Sequence, residues 1–474
     1  MTDSLPEIYP TLTLPLQRGG NKIFGINQER PIAVDLFAGA GGMTLGFEQA
    51  GFDVLASVEI DPVHCATHKY NFPFWEIICQ SATDISAAEI RHKAKIGDRP
   101  IDVVFGGPPC QGFSMMGKRA LDDPRNHLVF HFLRLVLELQ PRYFVMENVK
   151  GLTVGKHKQF LAEIMAEFEA QGYQIEQSYR VLNACHYGVP QHRERLFLLG
   201  CRQGLELPKY PAPMTKPAKA NKIPKELADL PPSPTVWEAI ADLPSPDRYA
   251  ELLRQDWCEA EFDLDPNFSV SDYVRRLRGL DCSIQDYSYP RHFDRRLLTS
   301  SIRTHHSLES IARFHATPQG KTEPISRFLK LDPLGICNTL RAGTASNHGA
   351  FTSPRPIHPF EPRCITVREA ARLHSYPDWF RFHATKWHGF RQIGNSVPPL
   401  LAQAVATEIR KALKVTPVKP QVTQPLQDPA LLRIKMTEAA RKYGVDRHVI
   451  APRTRPVKVE TMSEFTLATK QTNP

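Results

Sequence analysis

The sequence has no pair of cysteines with the C-x-x-C spacing of a zinc site or a redox dithiol. Its nine cysteines stand alone, at positions 65, 79, 110, 185, 201, 258, 282, 337 and 364. No uninterrupted apolar run approaches the ~18 residues of a membrane span. The first twenty residues lack the basic start and the apolar stretch of a secretion signal. We therefore expect reduced thiols, no metal, no membrane contact and a cytoplasmic location.

What the sequence does contain is typical of an enzyme-sized globular protein. Its 474 residues are 42% hydrophobic and 23% charged, which is enough to bury a large core. The formal net charge of +9 is compatible with a polyanionic partner such as a nucleic acid. Many basic proteins bind no nucleic acid, so composition alone leaves that question open.

Between residues 30 and 200, short apolar runs alternate with helical patterns. The predicted strands are PIAVDL, DVLASVEID, IDVVFGG, PRYFVMENV and RLFLLGC. This alternation predicts an α/β fold with a doubly wound, mostly parallel sheet. Ligands of such sheets bind at the carboxyl ends of the strands. A functional site is therefore expected where these strands end.

The first predicted strand leads into a glycine turn, DLFAGAGG. Gly39, Gly41 and Gly42 would let the backbone approach a ligand at the start of a helix. A dinucleotide enzyme would carry a third glycine where this chain has Thr44. Glu59, at the end of the next strand, is placed to bind ribose hydroxyls. The pattern favours an adenosine-bearing ligand, although a simple turn beside an exposed acid remains the alternative.

Three further groups fall at or near predicted strand ends. Cys110, in GGPPCQGFS, could be a nucleophile or a buried, inert thiol. Glu147, in VMENVKG, could act as a general acid if burial raises its pKa. Arg193 and Arg195 alternate in QHRERLF, so both would face one side of a strand. Each could alone be a surface group, but their common position favours one catalytic site.

These segments, in their order, resemble the cytosine-5 DNA methyltransferases of the bacterial modification type. The matching blocks are DLFAGAGG, GGPPCQGFS, ENVKG, QHRERLF, ITVREAARLHSYPDW and GNSVPPLL. The resemblance covers roughly residues 30–412. It implies a Rossmann-like methyltransferase fold with an inserted recognition domain. It also implies S-adenosylmethionine as the methyl donor and double-stranded DNA as the acceptor.

The resemblance assigns the catalytic roles. Cys110 would attack carbon 6 of a cytosine that has been flipped out of the duplex. Glu147 would relieve the charge at ring nitrogen 3, and Arg195 would hold the carbonyl oxygen of the base. Arg193 would support the loop and Glu147, while Asn148 would brace the Pro-Pro-Cys loop.

It also implies a donor pocket at the strand ends. Phe37 would stack on adenine, Glu59 would bind the ribose and Asp84 the adenine edge. The other residues expected in this pocket are Gly39, Gly41, Gly42, Pro108, Asn395 and Ser396.

The predicted domains follow from composition and from the order of the blocks. Residues 28–200 and 390–414 form the catalytic domain, 201–389 the recognition domain and 415–474 a mobile basic tail. Arginines between 270 and 345, with Thr339 and Leu340, are expected to contact the target DNA, although a solvated basic face is the alternative. In the tail, MTEAARKYGVDRHVI predicts a short amphipathic helix.

Other functions remain open at this point. One branch of the family methylates cytosine in transfer RNA, and a DNA-binding repressor could retain a catalytically silent domain. The chain carries Cys110, Glu147 and Arg195, which a silent relative would have lost. We expect a monomer. A cognate restriction endonuclease would be a functional rather than a physical partner, and a solitary methylase is equally compatible with the sequence.

Overall fold

The computed structural model describes residues 30–109, 127–155, 157–220, 222–262, 270–280, 285–343 and 355–450. In the first half of the chain, strands and helices alternate as predicted. The elements are β1 (Ile32–Leu36), α1 (Gly42–Gln49), β2 (Asp53–Glu59), α2 (Pro62–Asn71), β3 (Glu76–Cys79), α3 (Ala87–Lys93), β4 (Val103–Gly106), α4 (His127–Leu139), β5 (Tyr143–Val149), α5 (His157–Ala170), β6 (Tyr173–Ile175), β7 (Arg180–Asn183) and β8 (Glu194–Arg202).

These strands form one eight-stranded sheet with the order β3-β2-β1-β4-β5-β8-β6, in which β7 also pairs with β8. The pairs from β3 to β5 are parallel, whereas β8 runs antiparallel to β5, β6 and β7. The prediction of a doubly wound, mostly parallel α/β sheet is thereby confirmed. Because β8 is reversed, its first residues lie beside the carboxyl end of β5.

Both faces of the sheet are covered by apolar residues. Successive strand residues point to opposite faces, and Val103 and Phe105 enter one core cluster while Val104 enters the other. On the first face the Phe47 ring of α1 stacks on Phe105, with ring centroids 3.7 Å apart. Strands buried on both faces explain why the predicted strands are almost wholly apolar.

The second half of the chain has shorter elements. They are α6 (Val236–Ile240), β9 (Cys258–Glu259), α7 (Asp272–Leu277), β10 (Arg291–His292), β11 (Leu297–Leu298), α8 (Leu308–Ala316), α9 (Val367–Leu373), α10 (Lys386–Asn395), α11 (Pro399–Ala412), β12 (Gln424–Pro425) and α12 (Met436–Tyr443). The predicted boundary at 389/390 falls inside α10. One core cluster joins residues of α1 and α11 to residues of α6, α7 and α9, so the predicted domains share apolar packing.

Helix α11 returns to the sheet and packs against α1 at very short range. A Cβ atom built on Gly46 would overlap the Cβ of Ala402 and lie 2.7 Å from the carbonyl oxygen of Pro399. Glycine at this position therefore allows the two helix backbones to approach, which connects residues 42–49 to residues more than 350 positions later.

Gly46→Ala is expected to lower the free energy of unfolding by ~1–3 kcal/mol, because the added methyl group overpacks this contact. Urea denaturation measures the change. Gly151→Ala is the matched control, since its Cβ would meet only Val149 Cγ2 at 3.9 Å. A loss no larger than that of the control would show that the α1–α11 contact tolerates a methyl group.

Part of the segment expected to be a mobile tail is packed. Strand β12 pairs with β10, and Ile434 and Ala439 form an apolar cluster with Val63 and Ala66 of α2. The predicted helix in this segment is α12. Residues 451–474 lie outside the described residues.

Within the described part of the chain, no helix is long and apolar enough to cross a membrane, and no group of three or more potential metal ligands occurs.

Candidate active site

A cavity of about 670 Å³ opens at the carboxyl edge of the sheet. Most of its wall comes from the ends of β1, β2 and β5, the segments that follow β1, β2, β3 and β4, the first residues of β8 and the end of α10. The predicted site residues among those lining it are Phe37, Gly39, Gly42, Glu59, Pro108, Glu147, Arg195, Asn395 and Ser396. The structure therefore brings together residues that are up to 359 positions apart in the chain.

The glycine turn after β1 holds the Glu59 carboxylate at the cavity wall. The Gly39 amide donates to Glu59 Oε2 at 2.8 Å, and the Asp61 amide donates to Glu59 Oε1 at 2.8 Å. Phe37 has a φ of 63°, a left-handed conformation that is uncommon outside glycine and is often found at functional sites. The backbone of this turn therefore lines the cavity and continues neither the strand nor a helix.

Gly41 does not line the cavity and instead packs closely against the Phe72 ring. Its φ is 101°, and a Cβ atom there would lie 2.5 Å from the Phe72 ring. Gly42 does line the cavity, and a Cβ on it would lie 2.6 Å from both the Tyr376 hydroxyl and the Val397 carbonyl oxygen. Both positions therefore require glycine, but for different reasons.

Glu147 and Arg195 form an ion pair inside the cavity, with 2.8 Å between Glu147 Oε1 and Arg195 Nε. The antiparallel register places Arg195 opposite Val149, next to the end of β5. Burial raises the pKa of the Glu147 carboxyl, and it outweighs the opposing effects of Arg195 and Arg193. A Cβ on Gly107 would lie 2.6 Å from Glu147 Oε2, so the glycine before Pro108 leaves room for the acid.

Arg193 occupies a different place from Arg195. Its buried guanidinium donates to the carbonyl oxygens of Leu340, Gly394 and Ser396, at 2.8, 2.7 and 2.7 Å. It does not line the cavity, although it is near enough to Glu147 to affect the pKa of that group. Arg193 precedes β8 and is buried, whereas Arg195 lies in β8 and lines the cavity, so only one of the two predicted arginines reaches the cavity wall.

The backbone oxygen of Pro108 accepts a 3.0 Å hydrogen bond from Asn148 Nδ2, which is the bracing contact expected of this asparagine. Pro108 and Pro109 line the cavity. Cys110, the next residue, lies outside the described residues.

The described cysteines offer no alternative nucleophile in the cavity. None of the seven lines it. Burial raises the pKa of Cys185 and Cys364 to about 12 and that of Cys201 and Cys258 to about 11. Thiols of this kind stay protonated at neutral pH and are chemically inert.

A hydrogen-bond network holds the part of the cavity wall that contains Ser396. His374 lies between the Gln191 side chain, 2.9 Å from its Nδ1, and the Ser396 hydroxyl, 3.1 Å from its Nε2. His374 and Gln191 do not line the cavity and support Ser396, which does. By contrast, Asp84 is exposed and does not line the cavity; Gln80, Ser81 and Ala82 of the same loop do so.

Sequence reasoning missed several cavity residues. Asp61 caps α2 through the amides of Val63 and His64. Burial acts to raise the pKa of Asp61, but nearby His64 and Arg391 outweigh burial and hold it below its ordinary value. The Asp-Pro start of a helix could have indicated the cap, but not its place in the cavity. Other cavity residues that it missed include Asp35, Val449 and Ile450.

The cavity fits the adenosine-bearing donor that the resemblance implies. Its volume lies within the usual range for ligand sites. Glu59 presents a positioned carboxylate, and the buried Asp61 Oδ2 has no hydrogen-bond partner. An unsatisfied buried acceptor in a ligand-sized cavity suits a ligand with hydrogen-bond donors.

The expectation that the arginines of 270–345 face DNA does not hold for all of them. Arg291 is fully buried in an ion pair with Glu48, 2.8 Å away, and its guanidinium lies over the Trp379 ring. Arg278 pairs with the buried Asp242. Arg296, by contrast, is exposed. Thr339 and Leu340 contact the segment before β8, through the His192 carbonyl oxygen and Gln191 Oε1.

Comparisons with known proteins agree with this geometry. The family model described as C-5 cytosine-specific DNA methylase matches residues 33–411. Type II methyltransferase M.XorII of Xanthomonas oryzae is 56% identical over 90% of this chain and 96% of its own. Type II methyltransferase M.AgeI of Thalassovita gelatinovora is 32% identical over 80% of this chain and 99% of its own.

A solved structure is also similar. It is a prophage-encoded protein of E. coli, provisionally assigned as a DNA modification methyltransferase, with 34% identity and a TM-score of 0.63. The alignment covers 81% of this chain and 99% of the other.

Proposed function

Because this chain belongs to the C-5 cytosine-specific DNA methylase family and is a DNA cytosine-5 methyltransferase, we propose that it methylates a flipped-out cytosine within one short duplex sequence. S-adenosylmethionine supplies the methyl group when bound. The observation that carries the proposal is the half-buried Glu147–Arg195 pair beside the Pro108–Pro109 loop, in a cavity at the strand ends.

Cys110, Glu147 and Arg195 would each act on a different atom of the base. Carbon 5 of cytosine is a weak nucleophile, and addition of the Cys110 thiolate at carbon 6 raises its electron density. Glu147, with its raised pKa, donates a proton at ring nitrogen 3 as this charge develops. Arg195 holds the base's carbonyl oxygen. After methyl transfer, carbon 5 loses its proton and the thiol is eliminated.

The donor would lie against the glycine turn. Phe37 would contact adenine, Glu59 would accept from the ribose hydroxyls, and Gly39, Gly42, Pro108, Asn395 and Ser396 would enclose the rest. The structure supports this through their common position around the cavity. Asp84 would reach the adenine edge only from its exposed loop, and Gly41 would act through the packing of the turn.

Arg193, Asn148 and the His374 network are positioning groups. They hold the carbonyl oxygens of Gly394 and Ser396 and the Pro108 backbone by hydrogen bonds. In a site that excludes water and holds its groups in a fixed geometry, the Glu147–Arg195 pair stabilises charge that develops on the base more strongly than it would in water.

The double-stranded DNA would lie between the catalytic residues 28–200 with 390–414 and the recognition residues 201–389. Exposed basic groups such as Arg296 are available to phosphates. We propose that the protein works as a monomer in the cytoplasm. The Type II names of its relatives favour a role that protects host DNA from a cognate restriction endonuclease.

Incubation with methyl-labelled donor and either duplex DNA or transfer RNA tests the acceptor. Label is expected in DNA, and sequencing of DNA from expressing cells should reveal 5-methylcytosine at one short sequence. Label confined to RNA would contradict the proposed acceptor. DNA binding without any transfer would favour the repressor alternative.

Exchange of residues 201–388 for those of a relative with another target is expected to move methylation to the relative's sequence. The reason is that base contacts, worth ~1–3 kcal/mol each, must come from the recognition segment. Long-read sequencing of DNA from cells that express the chimera gives the readout. An unchanged target would place sequence recognition elsewhere in the chain.

A further inference from the structure

The chain continues beyond the region that matches the family, which ends at residue 411. Residues 429–450, here called the C-terminal segment, contain α12 and end at the cavity. Val449 and Ile450 are among the residues that line it. Neither residue belongs to any block that resembles the family.

The C-terminal segment is anchored by contacts with two separate parts of the chain. Ile434 and Ala439 are buried against Val63 and Ala66 of α2. The carbonyl oxygen of Leu432 accepts from the Ala384 amide at 2.7 Å, and that of Ile434 lies 3.1 Å from His383 Nε2. These contacts tie the segment to α2 and to the chain before α10.

The turn after α12 directs the chain toward the cavity. Gly444 has a φ of 67°, and the Val445 amide donates to the Ala440 carbonyl oxygen at 3.0 Å. This is a helix ending closed by a left-handed glycine. A second turn follows, in which the Val449 amide donates to the Asp446 carbonyl oxygen at 3.1 Å.

Helix α12, which precedes these residues, packs beside α2 and β3. Asp61 and His64, at the start of α2, line the cavity, as does Gln80 after β3. Burial raises the pKa of the Tyr443 phenol and Cys65 and Cys79 add to the shift, which places the end of α12 beside α2 and β3. Glu59, proposed to bind the ribose, ends β2 and lies opposite Cys79 of β3.

We propose that the C-terminal segment completes the donor pocket, with Val449 and Ile450 in apolar contact with the adenosine part of S-adenosylmethionine. The inference rests on the proposed function of this cavity. Both side chains are half-buried without the donor, so binding would remove more of their apolar surface from water. The segment thereby adds donor affinity that the family region alone does not supply.

The test is isothermal titration of the full chain with S-adenosylhomocysteine, which shares the adenosine part. Val449→Ser with Ile450→Ser is expected to raise the Kd by about tenfold, equivalent to ~1.4 kcal/mol. Val422→Ser is the matched control, because Val422 is an exposed valine after residue 411 that does not line the cavity. Its Kd should equal that of the wild-type chain.

Hydrogen exchange gives a second measurement that needs no variant. S-adenosylhomocysteine should slow exchange in peptides that cover 445–450 and leave those that cover 418–424 unchanged. Unaltered exchange at 445–450, or a double variant that binds like the control, would overturn this inference alone. A wild-type chain that does not bind S-adenosylhomocysteine would contradict the proposed function itself.

Discussion

Cys110→Ser is expected to reduce methyl transfer to background while DNA binding survives. A serine hydroxyl is scarcely ionised at neutral pH, whereas a thiolate is a strong nucleophile even when it is a minor species. Without addition at carbon 6, carbon 5 of the base is not activated. Transfer of labelled methyl groups and a DNA-binding titration, made on the same preparation, measure the two properties.

Cys258→Ser is the matched control for this variant. Burial raises the pKa of Cys258 to about 11, and it lies in β9 and does not line the cavity. This control should keep its activity, and both variants should bind S-adenosylhomocysteine as the wild-type chain does. Full activity in Cys110→Ser would remove Cys110 from the mechanism.

Glu147→Gln is expected to lower kcat by ~100- to 10,000-fold, the usual contribution of a general acid. Glutamine keeps the size of the side chain but cannot deliver a proton. Burial raises the pKa of Glu147, so the protonated form is more populated near neutral pH than in an exposed glutamate. Affinity for S-adenosylhomocysteine should change little, because the acid acts on the base. Single-turnover kinetics and calorimetry separate the two effects.

Glu194→Gln provides the comparison for Glu147→Gln. Glu194 is also paired with a cation, Lys150 at 3.0 Å, but this pair is largely exposed and does not line the cavity. Exposed ion pairs contribute little, so its kcat should be unchanged. Weakened donor binding with normal single-turnover chemistry in Glu147→Gln would instead place Glu147 in the donor pocket.

Local patterns predicted the main part of the fold. Apolar runs that end in glycine or acidic residues predicted β1, β2, β4 and β5, because buried parallel strands are apolar and their ends carry function. Glu147 is a clear case, since its place at the end of a predicted strand put it at the sheet edge, where burial raises its pKa in the structure. Shorter elements such as β3 and β7 escaped prediction because so few residues carry little periodic signal.

The arginine-rich composition led to a wrong prediction where an arginine forms an ion pair with a distant residue. In the sequence, Arg291 belongs to an arginine-rich stretch that resembles a DNA-binding face. In the structure it is buried against Glu48, 243 positions earlier in the chain. A charge can be buried only when such a partner is present, and no local pattern reveals a partner at that separation.

The sequence by itself determined the α/β sheet, the family and the residue types proposed for the candidate site, because strand periodicity, turn chemistry and ordered motifs are local properties. The tertiary structure alone decided which of two neighbouring arginines enters the cavity. Antiparallel β8 brings Arg195 to Glu147, whereas Arg193 is held by the Leu340, Gly394 and Ser396 carbonyl oxygens. It also decided that Val449 and Ile450 reach the cavity, because that position depends on the packing of α12 on α2.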